Sequence, residues 1–213
     1  LFSSHSYSSN KELGEIAFDN GDYSSALKIL TPLAEDGDAD AQYMIGVIYH
    51  TIEDFRDHFK AVKWYKLAVN SSHAMAAHNL AIMYEGSMYD ENIIKQDYEE
   101  AMRLYLFAAR LGHMRSVSNI ARMYSYGKGV SIDHKESIKW YKIAAENGSS
   151  DANFNIGIKY INGTGVQRNY VKALTWFILG AELNNYSSER AYKRFSKLKE
   201  DHLKYLNSYY FRL

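Results

Sequence analysis

The sequence predicts an all-α fold, an αα-superhelix in which helical hairpins stack as a right-handed solenoid. Three observations predict it. A two-helix unit recurs at steps of 35 to 40 residues along the 213-residue chain, a period that belongs to hairpin solenoids. A helix-capping residue stands at one place in every copy: Asp22, Asp57, Asp97, Asp133 and Asn169. The chain has one proline, Pro32, so long helical stretches keep their backbone donors.

The unit is plainest over residues 116–148. Its first helix pattern puts Ser116, Ile120, Ala121 and Tyr124 on one stripe; its second puts Ile138, Tyr141, Ala144 and Ala145 there, with Trp140 beside them. Both follow the i, i+3, i+4 spacing of an amphipathic helix. Neither helix hides its stripe alone, so the unit is buried by copies of itself. Two second-helix columns read Ile29, Trp64, Leu104, Trp140, Trp176 and Leu30, Tyr65, Tyr105, Tyr141, Phe177. The capping Asp or Asn precedes them and accepts from the orphan donors of the first turn. Glu100 and Glu136, three residues after their caps, are expected to complete capping boxes. On the first helix, Gly46, Ala81, Ala121 and Gly157 allow close backbone approach. Tyr49, Tyr84, Tyr124 and Tyr160 close that helix against the aromatic residues of the second.

Taken in order, residues 1–10 (LFSSHSYSSN) are Ser-rich and without period, a loose lead-in. Residues 11–186 hold five hairpins. The first turns tightly at Asn20-Gly21-Asp22, and the second, from Ala41, has a glycine-free loop at His50–Arg56. The third, from Ala76, carries a long loop from Gly86 to Gln96. The fourth and fifth turn through Gly127-Lys128-Gly129-Val130 and Gly163-Thr164-Gly165-Val166. Residues 187–213 form a capping helix or helices: Ala191, Phe195 and Leu198 make one apolar stripe, and Glu200-Asp201 start a last short helix. Such an end piece gives a solenoid a polar outer face. An array of this kind is expected to be a single elongated body with no domain seam.

Acidic and basic residues balance at 25 each, which gives no case for a nucleic-acid footprint. No run approaches the ~20 apolar residues that span a bilayer, so no membrane insertion is expected. The absence of cysteine excludes disulfides and thiol chemistry. Charge is uneven along the chain. Residues 1–40 carry eight acids against two bases, and residues 185–213 carry seven bases against three acids. Self-association through these oppositely charged ends is therefore open. Leu1 is not an initiator, and an upstream segment such as a signal peptide is expected before it.

The columns together resemble a known family. Ala41-Ile45-Gly46-Tyr49, Ala76-Leu80-Ala81-Tyr84, Ser116-Ile120-Ala121-Tyr124 and Ala152-Ile156-Gly157-Tyr160 are each followed by a loop, an Asp or Asn and, in two units, Trp-Tyr. That order is similar to the Sel1-like repeat (SLR), a relative of the tetratricopeptide repeat, over roughly residues 11–200. The resemblance implies a helical-repeat scaffold without cofactor. Its opening, Gly21-Asp22-Tyr23 through Gln42, looks like the first unit of exported bacterial members, which implies a periplasmic or secreted protein, with the cytoplasm as the alternative.

Candidate chemistry is sparse. His50, Asp54 and His58 have helical metal-ligand spacing, but Asp57 is a cap and His58 opens a new helix. His73 and His113 share a column in the turn after a second helix, where a positive group suits the helix C-terminus. The Gly-x-Gly-Val loops lie between helices and lack Gly-Lys-(Ser/Thr), so they are turns with a buried valine rather than phosphate cradles. Ser-x-x-Lys occurs at Ser8, Ser25 and Ser196 without the Ser-Asp-Asn or Lys-Thr-Gly that penicillin-binding chemistry requires. No enzyme is expected.

What remains is a binding surface. First helices line the inner wall of a hairpin solenoid. Counting from the Ala column, offsets 2 and 6 lie opposite the hairpin core by the 100° helical step. They are Tyr43 and Val47, His78 and Ile82, Ser118 and Arg122, Phe154 and Ile158. Offset 3 adds Asn79, Asn119 and Asn155, placed to clamp an extended peptide. The sequence therefore points to a non-catalytic scaffold binding a peptide or partner protein on this concave face, in a bacterial exported or host-interaction protein. A cell-envelope enzyme acting on peptidoglycan, or its regulator, is the alternative; helical-repeat RNA binding is disfavoured by the neutral charge.

Overall fold

A computed structural model describes residues 4–86 and 94–197. The described chain is helical and without strands. Its helices are α1 (Ser4–Asp19), α2 (Tyr23–Glu35), α3 (Ala39–Thr51), α4 (His58–Asn70), α5 (Ala74–Glu85), α6 (Tyr98–Arg110), α7 (Met114–Tyr126), α8 (His134–Glu146), α9 (Ser150–Asn162) and α10 (Tyr170–Glu182). A short 3-10 turn, Glu53–Phe55, fills the glycine-free loop, and residues 186–197 are helical again. The first helix starts at Ser4, so most of the expected loose lead-in belongs to it. Most of the long third-hairpin loop, Leu198 and the expected helix at Glu200 lie outside the described residues.

The capping column forms as the sequence requires. The side chains of Asp22, Asp57, Asp97, Asp133 and Asn169 each accept from the backbone three residues on, at 2.9–3.1 Å. The backbone of the same residues closes the hairpin. The N–H of Asp57, Asp97, Asp133 and Asn169 donates to the carbonyl of Tyr49, Tyr84, Tyr124 and Tyr160, at 2.9–3.0 Å. This corrects the capping boxes. The cap N–H is already taken by the tyrosine carbonyl, so Glu100 turns to Arg103 at 2.6–2.7 Å and Glu136 to Lys139 at 2.7 Å.

The turn after each second helix also repeats. Gly37, Gly112 and Gly148 adopt positive φ there, and Ser72 and Asn184 hold the same left-handed place at φ 60° and 59°. The following N–H bonds five residues back: Asp38 to Leu33, His73 to Ala68, His113 to Ala108, Ser149 to Ala144 and Asn185 to Gly180, at 3.0 Å each. Such a left-handed residue satisfies the last helical carbonyls and reverses the chain.

The chain divides into two compact units, Leu1–Ser116 and Val117–Leu213. The boundary falls inside α7, although a repeat array needs no seam. Hairpins pack on their neighbours alone, so no single core has to run the whole length. In the first unit Leu30, Leu33, Ile45, Ile48, Tyr65, Leu80, Met83, Leu104 and Tyr105 are almost wholly buried. In the second, Ile120, Met123, Ile156 and Phe177 are fully buried, and Phe195 of helical residues 186–197 stacks on Phe177 at 5.9 Å. The tryptophans Trp64, Trp140 and Trp176 are half-buried; the residue after each is the deeper one. Gly46 is needed against that column, because a Cβ there would lie 2.6 Å from the Tyr65 ring. Gly157 meets Phe177 in the same way.

Candidate functional site

The candidate surface lies on α3, α5, α7 and α9, and its offsets separate into two kinds. Offset 2, expected opposite the hairpin core, instead packs on the second-helix ring of its own hairpin at Tyr43, His78 and Phe154. At Tyr43, His78 and Ser118 it also meets the turn that leads into the next hairpin. Tyr43 stacks on His73, centroids 4.5 Å apart, and His73 caps α5 by accepting the Ala76 N–H at Nδ1, 3.1 Å. His78 is only 7% exposed. Its ring lies 4.3 Å from that of His113, and the Ser116 hydroxyl sits 2.9 Å from His78 Nδ1 and 3.0 Å from His113 Nδ1. One hydroxyl has one proton, so it donates to one imidazole and accepts from the other. Ser118 Oγ lies 3.4 Å from Ser149 Oγ, the cap of α9. Phe154 packs 5.9 Å from Phe177.

The expectation that offset 2 stands open is thus corrected for His78, which is buried, while Tyr43, Ser118 and Phe154 are half-covered. In a stacked array a first helix has a second buried side, given to the next hairpin's turn. The histidine reading changes with it. His73 and His113 were expected as positive groups at a helix C-terminus; burial instead lowers the pKa of both. His73 works as a neutral capping acceptor, with Asp40 3.3 Å from its Nε2.

Offset 6 is more open. Ile82 is 37% exposed; Val47, Arg122 and Ile158 are half-buried, and Ile158 packs against the Phe177 cluster. The offset 3 amides already have partners within the chain. Asn79 donates to the Tyr65 hydroxyl at 3.2 Å, Asn119 accepts from Arg122 at 3.4 Å, and Asn155 donates to the Asp151 carbonyl at 2.8 Å. Among the described residues, His, Asp and Glu side chains form no cluster of three fit to hold a metal. His50 and His58 do approach, ring centroids 6.2 Å apart. No helix of the described chain is long and apolar enough to cross a membrane.

The second unit holds a cleft of about 220 Å³ that sequence reading missed, lined by Tyr126, His134, Tyr141, Asn155, Lys159 and Asn162 among others. A signal for it was available. Lys159 stands seven residues after the Ala column, where the preceding hairpins have Ile48, Met83 and Met123, all fully buried.

Hairpins closed by a tyrosine–cap bond, with small residues under the second-helix aromatics, define an SLR-type helical-repeat protein. The Sel1 repeat family matches four stretches, residues 39–73, 74–113, 116–149 and 150–185, and the chain belongs to that family. Proteins of this family generally mediate protein–protein interactions. A Sel1 repeat protein from Oxalobacter formigenes is similar at 26% identity and a TM-score of 0.77, over 86% of this chain and 74% of that one. A protective antigen of uropathogenic Escherichia coli with an SLR fold is similar at 27% identity and a TM-score of 0.79. That match covers 87% of this chain and spans 40% of the antigen. No curated protein matches the chain.

Proposed function

We propose that this chain is a non-catalytic scaffold that binds a peptide or a partner protein on the first-helix surface of its repeats. The supporting observation is the contrast on α5: His78 is closed into the seam, while Ile82, one turn on, keeps an apolar side chain 37% exposed beside Asn79. Exposed aliphatic and aromatic groups next to amides are what an interface core uses. In the first unit Tyr43, Val47, Asn79 and Ile82 supply this surface. In the second, Ser118, Asn119, Arg122, Phe154, Asn155 and Ile158 supply it.

The similarity to a protective antigen of a pathogenic bacterium supports a bacterial, exported and host-facing setting, periplasmic or secreted. The balanced charge favours a protein over a nucleic-acid partner, and the oppositely charged ends supply a route to self-association. Capture of a partner by the immobilised chain, compared between wild type and Ile82→Asp, tests the surface. Loss of one specific protein with the variant is expected. Equal recovery by a folded Ile82→Asp chain would overturn the assignment.

A further inference from the structure

Lys159 occupies a core position without the partner a buried charge requires. It is 7% exposed. Among the described residues its ammonium has neither carboxylate nor hydrogen-bond acceptor, only the face of Tyr141, 6.0 Å from the nitrogen. Burial alone lowers its pKa from the ordinary lysine value. The side chain is buried while its ammonium opens on the cleft. A cation partly withdrawn from water without a partner carries a cost that the aliphatic residues of this column in the preceding hairpins avoid.

The surroundings are rich in donors. Tyr141 is buried, and burial pushes its pKa up to about 12, with the Tyr126 hydroxyl adding to the rise. It therefore stays a neutral O–H. The Arg122 guanidinium acts on the same hydroxyl from α7 and favours negative charge there, while the Asp151 carboxylate, which accepts from Asn185 at 2.7 Å, acts against it. Asn155 and Asn162 also line the cleft, the Asn155 amide already donating to the Asp151 carbonyl at 2.8 Å. His134, also in the lining, has a buried Nδ1 with no hydrogen-bond partner among the described residues. At about 220 Å³ the space is below the size of a typical small-molecule pocket and suits one side chain or chain end.

We propose that this cleft receives one carboxylate of the bound polypeptide, held by the Lys159 ammonium in a charge-assisted hydrogen bond, with the Tyr141 hydroxyl and the Asn162 amide as neutral donors. The inference rests on the chain being a protein binder: Asn155 and Ile158 of the proposed surface also line the cleft. The carboxylate comes either from a C-terminus or from an Asp or Glu side chain.

Three probes separate these sources by NMR of the lysine Cε–Hε resonances in the whole chain. N-acetylglycine mimics a C-terminus, the α-amide of N-acetylglutamate mimics an acidic side chain, and N-acetylglycinamide is the neutral control. One of the acids is expected to move the Lys159 resonance and raise its titration midpoint, the stronger one naming the source. The control should leave it in place. Lys159→Met should weaken acid binding by about tenfold or more, and Lys159→Arg should retain it. Equal binding by Lys159→Met, an equal response to the neutral control, or no response to either acid up to about 50 mM would overturn the inference. Any of these leaves the Ile82 capture result standing, so the two readings fail separately.

Discussion

The ring of Tyr43 lies nearly flat on the imidazole of His73, their planes 21° apart. His73 is the cap of α5, so one contact joins the second hairpin to the start of the third. Comparable contacts recur at His78 with His113 and at Ser118 with Ser149. An offset that packs on the buried ring of its own second helix, Tyr65 for Tyr43 and Tyr105 for His78, also registers the next hairpin.

Tyr43→Ala should therefore cost stability as well as surface. The loss of the stack and of the packing on Tyr65, 6.2 Å away, should amount to about 1–3 kcal/mol. Tyr43→Phe keeps both rings and should melt within about 0.5 kcal/mol of wild type. Thermal melts of the two variants check this; an unchanged midpoint for Tyr43→Ala would mean that the stack carries no load.

Ser72 holds a left-handed φ of 60° where three other turns have glycine. A side chain in that region costs roughly 1 kcal/mol. Ser72→Gly should accordingly stabilise the chain by about 0.5–1 kcal/mol in denaturant melts, and Gly112→Ser should do the reverse.

Stability should fall on mild acidification. Burial, reinforced by His113 and Arg115, pushes His78 down to about 4 from an ordinary 6.5. Burial likewise pushes His50 down to about 4, with His58 and Arg56 adding. Between those values the unfolded chain binds more protons than the folded one, so stability is complete above pH ~6.5 and drains away towards pH ~4. Each histidine contributes on the order of 2 kcal/mol. The thermal midpoint should drop steadily over that window, and His78→Gln should flatten the slope. A midpoint independent of pH from 7 to 4.5 would contradict the burial of both rings.

Lys159→Met should raise the thermal midpoint, because it removes a buried charge and restores the side-chain type of Met83 and Met123. A lower midpoint would make the contact with Tyr141 structural rather than vacant for a ligand.

The parts of this fold legible in the sequence are those set by one helix and its own partner. The five caps depend on a residue and the backbone three positions later, so a column of Asp and Asn locates them. Gly46 and Gly157 were readable for the same reason, each facing an aromatic residue of its own hairpin. What was misread depends on groups outside the helix that carries the residue. The tyrosine carbonyl that takes the cap N–H, and so frees Glu100 and Glu136, comes from the other helix of the same hairpin. The seam that buries His78 belongs to the following turn. Against the helix before it the place of His73 suits a cation, whereas its side chain caps the helix after it. Lys159 was visible as a charge in an aliphatic column, yet its meaning needed the cleft around it.

The division of the first-helix surface into seam and open face can be tested within one turn of α5. The chain has no cysteine, so His78→Cys and Ile82→Cys each present a single thiol to a maleimide under native conditions. The account predicts that the thiol at 82 reacts at a rate close to that of the unfolded chain and that the thiol at 78 is slowed by about tenfold or more. Equal rates at the two positions, or faster labelling at 78, would contradict it.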